Sequence, residues 1–184
     1  MKRIEIGLPD WASSVLDRTR TYATDRERMS VAIELARSNV TEGTGGPFGA
    51  AVFNLGTGAL AGVGMNLVLA RNNSVLHAEV VALMMAEQTV GSFDLGAKSG
   101  EYELVTSCEP CAMCLGAVHW SGIRRLVIGA RREDVERIRF DEGPVFPASY
   151  EYLESRGLTV TRDVCRAEAI EVLEKYAREN GVIY

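Results

Sequence analysis

A chain of 184 residues that is 47% apolar is long enough to bury the core of one globular domain, and a second full domain is not expected. Its 20 basic and 25 acidic residues give a formal charge of −5, so it lacks the positive footprint of a dedicated nucleic-acid binder and suits a small, weakly charged partner. The opening "MKRIEIGLPDW" breaks up into charge, Gly and Pro, which supports neither a signal peptide nor a membrane span, and a cytoplasmic protein is expected.

The chain reads as a single domain, 1–184, with a loosely attached N-terminal arm over 1–24. From Asp25 onward, Met29, Ala32, Ile33, Ala36 and Val40 recur at helical spacing and predict a first amphipathic helix. "PFGAAVFN" and "ALAGVGMN", joined by "LGTG", predict a hairpin. The run after His77 is apolar nearly all round, which predicts a helix covered on most sides. "YELVTS" and "RLVIGA" are short β-prone runs, each followed by a helical pattern that starts near Cys111 or Arg131. "LTVTRD" predicts a last strand, and the helix after it places Ala167, Ile170, Leu173 and Ala177 on one stripe. Strands and helices alternating at these lengths imply an α/β protein with helices on both faces of one sheet.

Two clusters, "HAE" and "PCAMC", stand where helices are predicted to begin. Residues three apart share a helix face, so Cys111 and Cys114 can point to one spot, and the helix end favours a thiolate. With His77 from another helix, two thiolates and one imidazole make a three-ligand set for tetrahedral zinc whose fourth position is left for water. Cys108 lies in the preceding loop and is not expected to bind. His119 is rotated off the ligand face, and Cys165 reads as a small buried hydrophobe. H-x-E followed by P-C-x-x-C is the signature of zinc-dependent base deaminases, in which the Glu serves as general acid and base. Glu79 is the candidate for that proton work, since two thiolates already neutralise the metal's formal charge and leave its water in need of a base.

"GGPFGAAVF", "HAEVVAL", "TSCEPCAMCLGAVHWSGIRRLV" and "FDEGP" resemble the cytidine deaminase-like superfamily, and within it the bacterial guanine deaminases, in particular the branch that also takes the triazine ammeline. The resemblance runs from about Gly45 to Pro144 and more faintly through "IGLP" and "NGVIY". It implies a three-layer α/β/α fold with a five-stranded mixed sheet, one zinc per chain, a homodimer, and hydrolysis of guanine to xanthine and ammonia. It also implies that Asn66 and the backbone N–H of Ala78 contact the base, that Phe48 and Trp120 border it, and that Glu142 acts on the purine edge. Some relatives have Asp where this chain has Glu142, and the extra methylene leaves that group's geometry open.

The alternatives are a tRNA adenosine deaminase, another nucleoside or cytosine deaminase, and a non-catalytic zinc module. Gripping tRNA calls for clustered cations. Lysine is confined to Lys2, Lys98 and Lys175, while Arg124, Arg125, Arg131 and Arg132 read as helix-end charge balanced by Glu133, Asp134 and Glu136. Glu79, which a structural metal does not need, argues against the binding module. The tail "NGVIY" is a candidate closure for the pocket.

Overall fold

The computed structural model describes residues 5–15, 19–97 and 100–184; the beginning of the arm, with Lys2, and Lys98 lie outside these. In chain order the elements are α1 (Ala12–Val15), α2 (Asp25–Thr41), β1 (Gly49–Asn54), β2 (Leu60–Met65), α3 (Val68–Arg71), α4 (Ala78–Val90), β3 (Tyr102–Cys108), α5 (Ala112–Ser121), β4 (Arg125–Ala130), α6 (Arg132–Arg137), α7 (Pro147–Ser155), β5 (Thr159–Thr161) and α8 (Arg166–Arg178). No helix among the described residues is long and apolar enough to cross a membrane.

The start of α2 is fixed by a reciprocal cap. Thr24 Oγ1 accepts from the Glu27 N–H at 3.2 Å, and Glu27 Oε2 accepts from the Thr24 N–H at 3.0 Å. Met29, Ala32, Ile33 and Ala36 are buried as predicted. Beyond the helix, Asn54 Oδ1 accepts from the N–H groups of Gly56 and Thr57, turning the chain between β1 and β2.

The sheet is five-stranded and mixed, in the order β2-β1-β3-β4-β5. β1 is antiparallel to both β2 and β3, whereas β3, β4 and β5 run parallel. Every residue of β3 is buried, as expected of a central strand covered on both faces. Ala51, Phe53, Val105 and Val127 face α2 and α8, while Ala50, Val52, Leu104, Leu126 and Ile128 face α4, α5 and α7. This is the three-layer α/β/α arrangement implied by the resemblance.

Two glycines of β2 set the distance to α4. A Cβ on Gly62 would stand 2.4 Å from the Ala86 nitrogen, and one on Gly64 would stand 2.1 Å from the Ala78 carbonyl oxygen. Strand and helix therefore meet backbone to backbone, with Ala78, Ala82 and Ala86 on the helix side. The N-terminus of α4 is held against the sheet by that contact.

Three sequence expectations need correcting. In α8 the buried stripe is Ala169, Val172, Leu173 and Tyr176, and Ala167 and Ala177 are exposed. Their small apolar side chains carry little burial energy, and the larger Val172 and Tyr176 set the phase. The segment before β5 contains α7, opened by Pro147 at its first turn, where the sequence reading placed no helix. Described parts of the arm are docked: Ala12 and Tyr22 are buried, Thr21 bridges to Ala59, and Trp11 packs on the core.

Candidate active site

β2 and β3 run the same way, so α4 and α5, which follow them, begin at the same edge of the sheet. His77 is the N-cap of α4 and Cys111 the N-cap of α5, both with extended backbone, and Cys114 lies one turn into α5. The ligand atoms of His77, Cys111 and Cys114 all lie within 4.8 Å of one another, and His77 Nδ1 is 3.5 Å from Cys111 Sγ. Cys114 is fully buried and Cys111 nearly so.

The donor set fits a divalent cation. With Cys114 donating to it and His77 beside it, the Cys111 thiol is pushed down to about 4, while the Cys114 thiol moves upward because it shares its proton with Cys111 in a buried setting. Two buried sulfurs can thus hold one negative charge between them on their own, and a metal ion is the counter-charge that lets both ionise. His77 is drawn two ways: burial lowers its pKa, but the Cys111 hydrogen bond and the charges of Glu79, Cys111 and Glu142 raise it overall.

Glu79 sits in the first turn of α4 and is 6% exposed, an unusual setting for a carboxylate. Thr106 Oγ1 donates to its Oε1 at 3.4 Å, and Cys114 Sγ lies 3.4 Å from its Oε2. Burial, then the charge of Cys111, pushes the Glu79 pKa upward. Burial and the charges of Cys111 and Glu79 push Glu142 up to about 8. Both carboxyls are therefore biased toward holding a proton.

A cavity of about 30 Å³, room for roughly one water molecule, is lined by Phe48, Asn66, His77, Glu79, Cys111 and Glu142 from the predicted set. Asn66 is 1% exposed; its N–H donates to the Phe48 carbonyl at 3.0 Å and its Oδ1 accepts from the Val68 N–H at 3.2 Å. Ala78 is the first residue of α4, where N–H groups have no acceptor within the helix. Trp120 does not join them. It is 80% exposed, because Cys114, Leu115, Val118 and Ser121 form the buried face of α5 and Trp120 lies about 200 degrees round from Val118.

Cys108 lines the cavity but is outside the metal-ligating group, and burial keeps its thiol well above the ordinary range. His119 packs edge-on against Trp120 and near Tyr152, away from the cavity lining. Cys165, expected to be buried, is half-exposed and caps α8 with φ 51°. The reading of the sequence missed Phe140, whose ring meets Phe48 at 5.0 Å and Tyr184 at 5.3 Å and lines the cavity. Its only sequence signal is an aromatic two positions before Glu142. Tyr184, in the tail, lines the same cavity.

The arginine cluster is neutralised locally, with Glu136 as one of the expected partners and the rest supplied from elsewhere. Arg125 pairs with Asp25 and Glu103, Arg131 with Asp163, and Arg132 with Glu136, whereas Glu133 and Asp134 pair with Arg166.

Fold and ligand geometry together define a zinc-site deaminase: residues 22–130 match the model of the cytidine and deoxycytidylate deaminase zinc-binding region, and the chain belongs to that family. Among its relatives, the guanine deaminase of Bacillus subtilis is 36% identical over 115 residues, which is 62% of this chain and 70% of the relative. The structure of guanine deaminase from Nitrosomonas europaea is 42% identical with a TM-score of 0.91, covering 96% of this chain and 97% of that one. A structure of NE0047 in complex with 2,6-diaminopurine is 44% identical with a TM-score of 0.91, covering 98% of this chain and 95% of that one.

Proposed function

We propose that the protein hydrolyses guanine to xanthine and ammonia, with ammeline as a second candidate substrate, and that one zinc ion per chain is held by His77, Cys111 and Cys114. The observation that carries the reading is the shared cavity, in which Glu79, Glu142, Asn66 and Phe48 stand beside His77 and Cys111. Similarity to guanine deaminases across nearly the whole chain supports the same substrate.

Zinc, when bound, supplies a Lewis acid that eases removal of a proton from water. Glu79 takes one proton from that water and passes it to a ring nitrogen, then takes the second from the newly formed C–O–H and passes it to the departing amine; its buried position beside the metal-binding residues suits this relay. The base loses its exocyclic C–N bond and gains a C–O bond, so one water is consumed for each ammonia released. The Asn66 side chain and the Ala78 N–H orient the ring, and Phe48 lies along its face. Glu142 receives the N–H edge of the purine and holds or passes a proton there.

Phe140 and Tyr184, which also line the cavity, add aromatic surface beside the base. The enzyme is further proposed to act as a cytoplasmic homodimer. Exposed Trp120, Phe146 and Tyr152, around a groove between α5 and α7, support the pairing of two copies. Sedimentation at micromolar concentration tests that point.

The deciding experiment is an ammonia-release assay on zinc-loaded protein with guanine, ammeline, guanosine, cytosine and an adenosine-bearing tRNA. Guanine should be turned over with xanthine as product. Turnover of the tRNA or of cytosine with guanine untouched would overturn the reading.

A further inference from the structure

Asn39, on α2, is completely buried and is not among the residues that line the cavity. Its Nδ2 donates to two main-chain carbonyls, those of Gly46 and Asn66, each at 2.8 Å. Its Oδ1 accepts from Thr44 Oγ1 at 2.6 Å, and that same hydroxyl accepts from Trp11 Nε1 at 3.1 Å. A hydroxyl has one proton and two lone pairs, so Thr44 gives its proton to Asn39 while receiving one from the indole. The chain of bonds has one sense, running from Trp11 through Thr44 and Asn39 to Asn66.

The two carbonyls belong to the two stretches that carry Phe48 and Asn66, and those stretches touch with no slack. A Cβ on Gly45 would stand 2.0 Å from the Asn66 carbonyl oxygen, and one on Gly46 would stand 2.3 Å from the Tyr184 hydroxyl oxygen. Turning or removing the Asn39 amide would loosen both stretches at once, leaving the Gly46 carbonyl with the Phe48 N–H alone and depriving the buried Asn66 carbonyl of the Asn39 donor.

We propose that Asn39 is a positioning residue for base recognition, and that Thr44 and Trp11 make the N-terminal segment part of the same device. The inference rests on the reading of Asn66 as a contact to the base. It assigns a role in substrate binding to residues that touch neither base nor metal.

Thr44→Val keeps the shape and deletes the bridging hydroxyl, and Trp11→Phe removes the indole N–H together with part of the ring that packs on the core. Thr44→Val should raise the KM for guanine about three- to tenfold, the span one hydrogen bond is worth. Zinc content and kcat at saturating guanine should stay within about twofold. Thr44→Ser should restore the parent KM, and Trp11→Phe should move it the same way by less. Binding of 8-azaguanine, followed by calorimetry, should weaken in parallel. In an Asn66→Ala background Thr44→Val should add no further loss of that affinity, because the two changes act on one contact.

A lower melting temperature with unchanged KM in both Thr44→Val and Trp11→Phe would overturn the inference. So would an equal loss of affinity in the Asn66→Ala background. If Asn66→Ala alone left KM and 8-azaguanine affinity untouched, the base-contact reading itself would fall, which differs from a result in which Asn66→Ala is damaging and Thr44→Val is silent. Should Thr44→Val not fold, Trp11→Phe, which leaves the Thr44–Asn39 hydrogen bond in place, carries the same comparison.

Discussion

The N–H of Ala112 donates to the main-chain carbonyl of Glu142 at 3.0 Å. Ala112 directly follows Cys111, so the loop bearing Glu142 rests on the helix end that presents the metal-binding sulfurs. Arg132 holds the loop from the other side, its guanidinium donating to the Val145 carbonyl at 2.8 Å and the Gly143 carbonyl at 3.0 Å. Arg132→Ala should therefore lower kcat/KM for guanine by about ten- to hundredfold while leaving zinc content unchanged. Arg132→Lys should recover little of the loss, since an ammonium cannot reproduce the forked pair. Steady-state kinetics beside metal analysis checks both.

Glu142→Gln keeps the volume and hydrogen-bonding reach of the side chain but cannot hold or pass a proton. Guanine turnover should fall by about a hundredfold or more, with zinc stoichiometry retained. Equal kcat in variant and parent would remove Glu142 from the mechanism.

Glu79→Ala should keep the metal and abolish ammonia release, a loss of at least about a thousandfold. The melting temperature should hold or rise, because the variant removes a buried carboxyl that burial disfavours in its charged form. Loss of zinc, or undiminished turnover, would favour a non-catalytic metal module.

Gly64→Ala tests the clamp between β2 and α4. The added methyl would meet the Ala78 carbonyl oxygen at 2.1 Å and the Ala82 nitrogen at 2.4 Å, so the helix must yield. A cost of about 1–3 kcal/mol is expected. Zinc affinity in a chelator competition should weaken alongside the melting temperature, since His77 rides on the displaced end.

Acid sensitivity should centre partly on Asp134, which is 3% exposed. Hydrogen bonds from Arg166 hold its carboxyl below the ordinary 3.8, against the opposing effect of burial. A carboxyl whose folded pKa is depressed contributes stability above the unfolded value and loses it as pH falls through the folded one. Asp134→Asn should thus be destabilised at neutral pH, and its deficit against the parent should shrink below about pH 3.8. Thermal melts across that range read the difference directly.

What the sequence revealed was whatever is encoded locally. The hairpin follows from two short apolar runs on either side of the turn residues at Asn54 and Gly58, and the ligand trio follows from two helix starts, because a helix N-terminus and a three-residue spacing fix where side chains point before any tertiary contact is known. What stayed hidden depends on packing between distant segments. The exposure of Trp120 is decided by which side of α5 meets the sheet, and the apolar stripe of α8 by the bulk of Val172 and Tyr176. Phe140 gains its place from Phe48 and Tyr184, both far away in the chain. Nothing local singles out Asn39 on α2, and only the approach of Gly46 and Asn66 gives its amide partners.

The parallel course of β3 and β4 separates two tasks by the length of a strand. Catalytic groups crowd the end marked by Cys108, whereas Arg28, Glu103, Arg125 and Asp25 form an ion cluster at the opposite end. The ion cluster thus stands a strand's length from the metal-binding residues, so changes confined to it leave the residues around the cavity in place.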